Sequence, residues 1–238
     1  MREERSARAN ARIGRIQAAD ARRDRQIRST ERLAELHRLI ASWPGLVSDS
    51  DPALVEDSLV LLDLLDDALS LVDVGSGGGL PGLPLKLARP ELQVTLVEAN
   101  HKKAAFLTHA IAVLGLQGVE VVAKRAEEAG RRPELRDRFD VATARALAPM
   151  PVLAELCLPF VRPGGRLLAM KAEGEPELEA VRPALAALNA EAAGVVPTPS
   201  AARSLGRVLV VRKLGPTPDA YPRRPGVPAR RPLTTRNL

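Results

Sequence analysis

Ser70-Leu-Val-Asp-Val-Gly-Ser-Gly-Gly-Gly-Leu-Pro-Gly82 opens with a short apolar run, passes an acid at Asp73 and bends through alternate glycines at 75, 77 and 79. A second apolar run, Val94 to Val97, ends at Glu98. Such a pair reads as two neighbouring parallel strands with a nucleoside-bearing ligand over their carboxyl ends. The glycines allow positive φ angles and a closer ligand approach than a β-carbon permits. A dinucleotide fingerprint needs its third glycine at position 80, where Leu80 stands. A phosphate-cradling P-loop fails too: Gly77 and Gly82 have its outer spacing, but Leu83 and Pro84 follow instead of Lys and Ser or Thr. The remaining ligand is S-adenosylmethionine, with the Glu98 carboxylate accepting hydrogen bonds from both ribose hydroxyls. An ordinary tight strand-to-helix turn would use the same glycines, and the acid at the end of the second strand argues against it.

Outward from this stretch the alternation is regular. Strands are expected near 71–74, 94–97, 119–123, 140–144 and 166–170, separated by helical stretches. A helix follows from Glu175 to Leu188, and Val195-Val196 with Val208–Val211 close the sheet as a hairpin, for seven strands. This is an α/β pattern: a mostly parallel sheet, helices on both faces and strand carboxyl ends along one rim. Pro81 and Pro84 fit the first turn of a helix, where backbone N–H groups lack partners anyway, and that helix ends near Arg89-Pro90. Ahead of the sheet, Leu33, Leu36, Leu39 and Ile40 mark a helix over Ile27–Ile40 that stops at Trp43-Pro44-Gly45. Leu54, Leu59, Leu62 and Leu65 mark a second helix from Pro52 to Ala68. The two helices are expected to form a small cap over one edge of the sheet.

Asp73 to Gly82, followed by Val97-Glu-Ala-Asn-His-Lys-Lys103 and Phe106-Leu107, resembles the glucose-inhibited division protein B family, the bacterial RsmG-type methyltransferases of small-subunit ribosomal RNA. Arg125-Ala-Glu127, Phe139-Asp140, Ala144-Arg-Ala146, Pro163-Gly-Gly165, Lys171 and the tail from Tyr221-Pro-Arg-Arg to Leu233 match in order, so the resemblance covers residues 55 to 233. It implies a class I S-adenosylmethionine-dependent methyltransferase fold, Rossmann-like, with the last of seven strands antiparallel. It also implies methyl transfer from S-adenosylmethionine to N7 of one guanine in 16S rRNA. Carried over by position, the cofactor contacts are Gly75, Leu80, Ala126, Glu127 and Arg145. Gly77, Gly79 and Glu98 join them on the physical argument above, and Asp73 is a candidate for orienting the loop or the cofactor's amino group. One segment departs from the family pattern: Asp51 to Ser58 is shortened and lacks a histidine.

With 238 residues, 45% of them hydrophobic, the chain can bury one substantial core, and with only 2% aromatic residues aliphatic side chains must fill it. No apolar run is long enough to span a bilayer and the arginine-rich start lacks the apolar centre of a secretory signal, so a cytoplasmic protein is expected. Cys157 is the single cysteine, in a leucine-rich segment, and reads as a buried structural thiol. His37, His101 and His109 do not cluster at metal-ligand spacing, so no metal is expected. Of the formal net charge of +6, residues 1–30 carry +5 and residues 221–238 another +5, leaving −4 between them. The expected organisation is therefore a basic arm and helical cap over 1–68, a methyltransferase domain over 69–214 and a basic Pro/Arg-rich tail over 215–238. Both arms suit a polyanion, with solvated tails as the alternative reading of the first 25 residues. The expected partner is 16S rRNA or the small ribosomal subunit, bound by a monomer.

Guanine N7 carries a lone pair and no proton, so no general base is expected; alignment is the enzyme's task. Lys102 and Lys103 are read as phosphate contacts and Arg145 as a residue of the cofactor or target pocket, these three forming the catalytic candidates. Lys171 either reaches RNA or pairs with Glu173 or Glu175. Alternatives are a methyltransferase of another acceptor, an RNA-binding assembly protein that has lost catalysis, and a dinucleotide oxidoreductase, the last disfavoured by Leu80.

Overall fold

The computed structural model describes residues 30–46, 52–145, 147–171 and 175–234. Its seven strands are β1 (Ser70–Val74), β2 (Gln93–Val97), β3 (Val119–Val122), β4 (Phe139–Arg145), β5 (Val161–Lys171), β6 (Ala190–Pro197) and β7 (Arg207–Lys213). They form one sheet in the order β3-β2-β1-β4-β5-β7-β6. The pairs from β3 to β5 are all parallel, while β7 runs antiparallel to both β5 and β6. Chain order reverses between β1 and β4, which opens a crevice at their carboxyl ends where ligands of doubly wound sheets bind.

The helices are α1 (residues 30–42), α2 (Ala53–Asp57), α3 (Gly82–Ala88), α4 (His101–Val113), α5 (Ala126–Ala129), α6 (Met150–Cys157), α7 (Glu175–Ala187) and α8 (Val227–Arg230). Because successive strand residues face opposite sides, β1 sends Leu71 into one core and Val72 and Val74 into the other. Leu71 packs with Leu61, Leu83 and Phe106 and with Leu36 and Ile40 of the cap. Val72 and Val74 pack with Leu153, Phe160 and Leu167 on the far face. Apart from a few aromatic rings both cores are aliphatic, as the composition requires. Cys157 is fully buried in the second of them, and burial pushes its thiol pKa up.

Each expected strand is present, with two differences in extent. β5 begins at Val161 rather than near 166, and β6 spans Ala190–Pro197 rather than Val195-Val196 alone. β6 pairs only with β7, and its register slips between Ala192 and Gly194, so small residues there hide the strand pattern. The second cap helix is not continuous: α2 stops at Asp57 and a 3-10 segment, Ser58–Leu64, takes over. At that junction the Ser58 hydroxyl donates to the Leu54 carbonyl (3.2 Å), a side-chain competitor for the helical ladder. Of the four leucines read as the apolar face of that second helix, Leu65 is buried while Leu54, Leu59 and Leu62 are half-buried, and Leu61 is buried in addition. The basic stretch of the first 29 residues lies outside the described residues, as do the start of the expected first helix and the chain's last four residues.

Candidate active site

The turn after β1 is built from backbone groups. The N–H groups of Gly75 and Ser76 donate to the Val97 carbonyl (2.8 and 3.1 Å), and those of Gly79 and Leu80 donate to the Ser76 carbonyl (2.7 and 3.2 Å). Gly75, Gly77 and Gly79 have φ of +73°, +55° and +82°, the left-handed region that side chains with a β-carbon resist. Space decides their roles further. A β-carbon on Gly75 would lie 2.5 Å from Leu147 Cδ1 and one on Gly79 2.4 Å from Leu83 Cδ1, whereas at Gly77 nothing nearer than 3.9 Å stands in the way. Gly77 is therefore open toward whatever lies over the rim.

What lies there is a cavity of about 330 Å³, walled by Gly75 and Gly77, by Glu98, by Lys124 to Glu127 after β3, and by Arg145 and Leu147 after β4. Val97, Ala99, Ala126 and Leu156 supply apolar surface. Glu98 fixes the geometry: its Oε2 accepts from the Gly77 N–H (2.9 Å) and its Oε1 from the Asn100 N–H (2.7 Å). Asn100 in turn caps α4, its Oδ1 accepting from the Lys102 and Lys103 N–H groups (2.9 and 3.2 Å). One carboxylate thus ties the glycine turn to the next helix while facing the cavity. Each of its oxygens keeps a further lone pair.

Of the residues read from the sequence, Gly75, Gly77, Glu98, Ala126, Glu127, Arg145 and Lys103 line this cavity together. Asp73, Gly79 and Leu80 are not among its walls. Leu80 is buried in the cap-side core. Asp73 accepts from the Gly82 N–H (3.2 Å) and the Thr143 hydroxyl (3.0 Å), so it braces the turn from below. Burial raises the Asp73 carboxyl to about 6, against the opposing effect of those two donors and of the Arg145 charge. Lys102 is exposed and lines a neighbouring cavity. Lys171 donates to the Ala148 carbonyl (2.8 Å); the side chains of Glu173 and Glu175 lie outside the described residues.

Arg145 is the last residue of β4, with its side chain largely withdrawn from solvent. It donates to the Leu54 carbonyl (3.1 Å) and lies 3.9 Å from Asp57. Burial pulls its pKa down, and the Asp57 and Asp73 carboxylates oppose that shift. Asp57 is 0% exposed; Arg203 Nε donates to both its oxygens (3.0 and 2.8 Å) and the Ser200 hydroxyl to one of them. The loop between β6 and β7 is thereby locked to the cap and to the residue at the end of β4. Charge spacing gives no hint of this network, because Arg203 lies 146 positions from Asp57.

The tail is tied to one wall residue of the same cavity, Glu127. Arg136 donates to the Thr217, Pro218 and Tyr221 carbonyls, and Arg131 to Pro222. Arg223 pairs with the fully buried Glu155, and the Gly226 N–H donates to Glu127 Oε1 (2.8 Å), which also accepts from Arg125 (3.1 Å). Arg223 is thus committed to the body of the protein, while Arg224, Arg230 and Arg231 are exposed. Among the described residues no cluster of three or more His, Cys, Asp or Glu is placed to hold a metal. Among them, too, no helix is long and apolar enough to cross a membrane.

The family model for rRNA small subunit methyltransferase G, GidB, matches residues 46–205, a stretch that includes the glycine turn, Glu98, Arg145 and Arg203. The chain belongs to the GidB family. Among GidB relatives, the ribosomal RNA small subunit methyltransferase G of Roseiflexus castenholzii is 49% identical over 180 residues, covering 72% of this chain and 77% of the relative. The protein of the same name from Moorella thermoacetica is 45% identical over 183 residues, covering 75% and 76%. In solved structures, the GidB chain shares its fold with an O-methyltransferase from Bacillus cereus in complex with SAH (TM-score 0.55, 20% identity, 77% of this chain and 91% of that one). The O-methyltransferase TomG from Streptomyces achromogenes, in complex with SAM, matches similarly (TM-score 0.54, 19% identity, 78% and 90%). The fold is that of class I S-adenosylmethionine-dependent methyltransferases, as the alternating strands and helices implied. A dinucleotide oxidoreductase is set aside.

Proposed function

We propose that the chain transfers a methyl group from S-adenosylmethionine to N7 of a guanine in 16S rRNA. The single observation behind this reading is the rim cavity that joins Gly77, Glu98 and Arg145 in a chain of the GidB family. The donor set suits the cofactor: an acceptor-only carboxylate for ribose hydroxyls, an uncrowded glycine backbone, and apolar walls at Val97, Ala99 and Ala126 for a flat ring. Bound there, S-adenosylmethionine supplies an electrophilic methyl group on a sulfonium.

The protein's own residues have an orienting task. N7 has an unshared pair and no proton to lose, so the rim needs no general base. When the methyl–nitrogen bond forms and the methyl–sulfur bond breaks, the positive charge passes to the base. Holding the two partners in line contributes roughly 7–11 kcal/mol in favourable cases. Arg145, held by the Leu54 carbonyl and Asp57, is the group we assign to positioning at the junction of cofactor and target. Glu127 and Ala126 are assigned to the cofactor and Lys103 to the RNA backbone, a reading supported by their sharing the walls of one cavity. Residues 69–214 form the catalytic domain on this reading, with 1–68 and 215–238 as flanking RNA-facing parts; the substrate is rRNA, free or assembled, and the site of action the cytoplasm.

The test is to map N7-methylguanine in 16S rRNA from cells with the protein, without it, and with Arg145→Ala in its place. One N7-methylguanine is expected in the first only, with the variant accumulating as folded protein. Methylation unchanged in cells lacking the protein would overturn the function, and normal methylation by Arg145→Ala would overturn the role given to that arginine.

A further inference from the structure

Trp43, which in the sequence serves only to end a helix, lines a second cavity beside the first. This cavity has a volume of about 120 Å³ and is walled by Trp43, Pro44 and Leu46 from the cap and by Asn100, Lys102 and Lys103 from the head of α4. Lys103 lines both cavities, so the two adjoin. The indole packs on two other rings: its centroid lies 5.4 Å from Phe106, edge on at 68°, and 5.4 Å from His109, tilted at 39°. It remains half-buried, with surface toward the cavity. Among the described residues neither lysine ammonium has a carboxylate partner within 4.0 Å.

A rigid aromatic surface next to two lysines without carboxylate partners presents the two groups that a nucleotide needs, one for its base and one for its phosphate. Unpaired bases stack on aromatic rings with little regard to sequence, while lysines hold the phosphates that join them. An enzyme that draws a base out of its stack also leaves the adjacent nucleotide without a neighbour. We propose that this cavity takes a nucleotide of the RNA next to the methylated guanine, its base stacked on Trp43 and its phosphate held by Lys102 and Lys103. The proposal rests on the rRNA-methyltransferase reading and adds to it a binding subsite built by the cap.

Trp43 is the only tryptophan in the chain, so indole emission, excited selectively over the one tyrosine, reports on this site alone. Titrating the full-length protein with deproteinised 16S rRNA from cells lacking it is expected to quench that emission saturably. Trp43→Ala is expected to raise KM for the rRNA about tenfold, with Trp43→Phe restoring most of the loss. Donor affinity by calorimetry stays at the parent value in both variants, which separates loss of a base contact from general unfolding. Lys102→Ala and Lys103→Ala each lower the slope of log affinity against log salt by about 0.7, whereas Trp43→Ala leaves that slope alone. Methylation of this rRNA by the parent protein without quenching, or with the KM of Trp43→Ala at the parent value, would overturn the subsite and leave the function standing. Absence of rRNA methylation in any form would overturn the function and the subsite together.

Discussion

Glu98→Ala weakens S-adenosylmethionine binding by about 100-fold or more, measured by calorimetry at a temperature where the variant is folded. That is the expected result, and it follows from what the carboxylate holds. Its two oxygens accept the Gly77 and Asn100 N–H groups, and hydrogen bonds to a charged group are worth about 1.5–3 kcal/mol each. Losing them frees the glycine turn and the entrance of α4 together, besides removing the acceptor for the ribose. Two ribose hydroxyls that each lose a charged acceptor forfeit about 3 kcal/mol of binding, and at about 1.4 kcal/mol per tenfold in affinity that gives two orders of magnitude. Glu98→Gln is expected to fare little better. An amide can offer only one oxygen, so one of the two N–H groups would meet an NH2 donor instead of an acceptor. A dissociation constant for either variant within about threefold of the parent would remove Glu98 from the cofactor site.

The second large effect concerns stability. Asp57→Ala leaves Arg203, 15% exposed, with its charge uncompensated beneath the cap. Breaking a buried pair from one side costs about 3–5 kcal/mol, which for a chain of this size corresponds to a fall of roughly 10 °C in Tm. Removing Arg203 as well should recover part of that loss, because no lone charge then remains buried. A Tm for Asp57→Ala within a degree or two of the parent, or a double variant less stable than the sum of the single changes, would count against the network as described. The same substitution withdraws a partner from Arg145, so its activity is expected to fall further than its stability alone explains, read as kcat at a temperature where the variant is folded.

The fold was largely legible because its signals are local. The run Leu71 to Val74, the glycines with positive φ, and the acid ending β2 each act through neighbours within a few positions, so chain order carries the information. Gly75, Gly77, Glu98, Ala126, Glu127 and Arg145 all stand at strand carboxyl ends, and a parallel sheet brings such ends to one rim without further instruction. Leu80 shows where this reasoning stops. The family resemblance gives it as a cofactor contact; that its side chain also belongs to the cap-side core depends on packing with α3 and the cap, which no local motif reveals. Asp57 was visible only as a landmark of the shortened segment, since its partners Ser200 and Arg203 come from the far side of the sequence. Arg223 looked like one more tail cation, and only the fold reveals Glu155 waiting for it in the interior.

The placement of β7 between β5 and β6 carries a consequence for synthesis. β6 pairs with β7 and with no other strand, so a growing polypeptide that has passed Pro197 but not Lys213 has nowhere to lay β6, and the flank of β5 stands uncovered. Exposed flanks of this kind recruit other chains. Translational stalling in that interval, or a frameshift within it, should therefore yield aggregates rather than a trimmed but working enzyme.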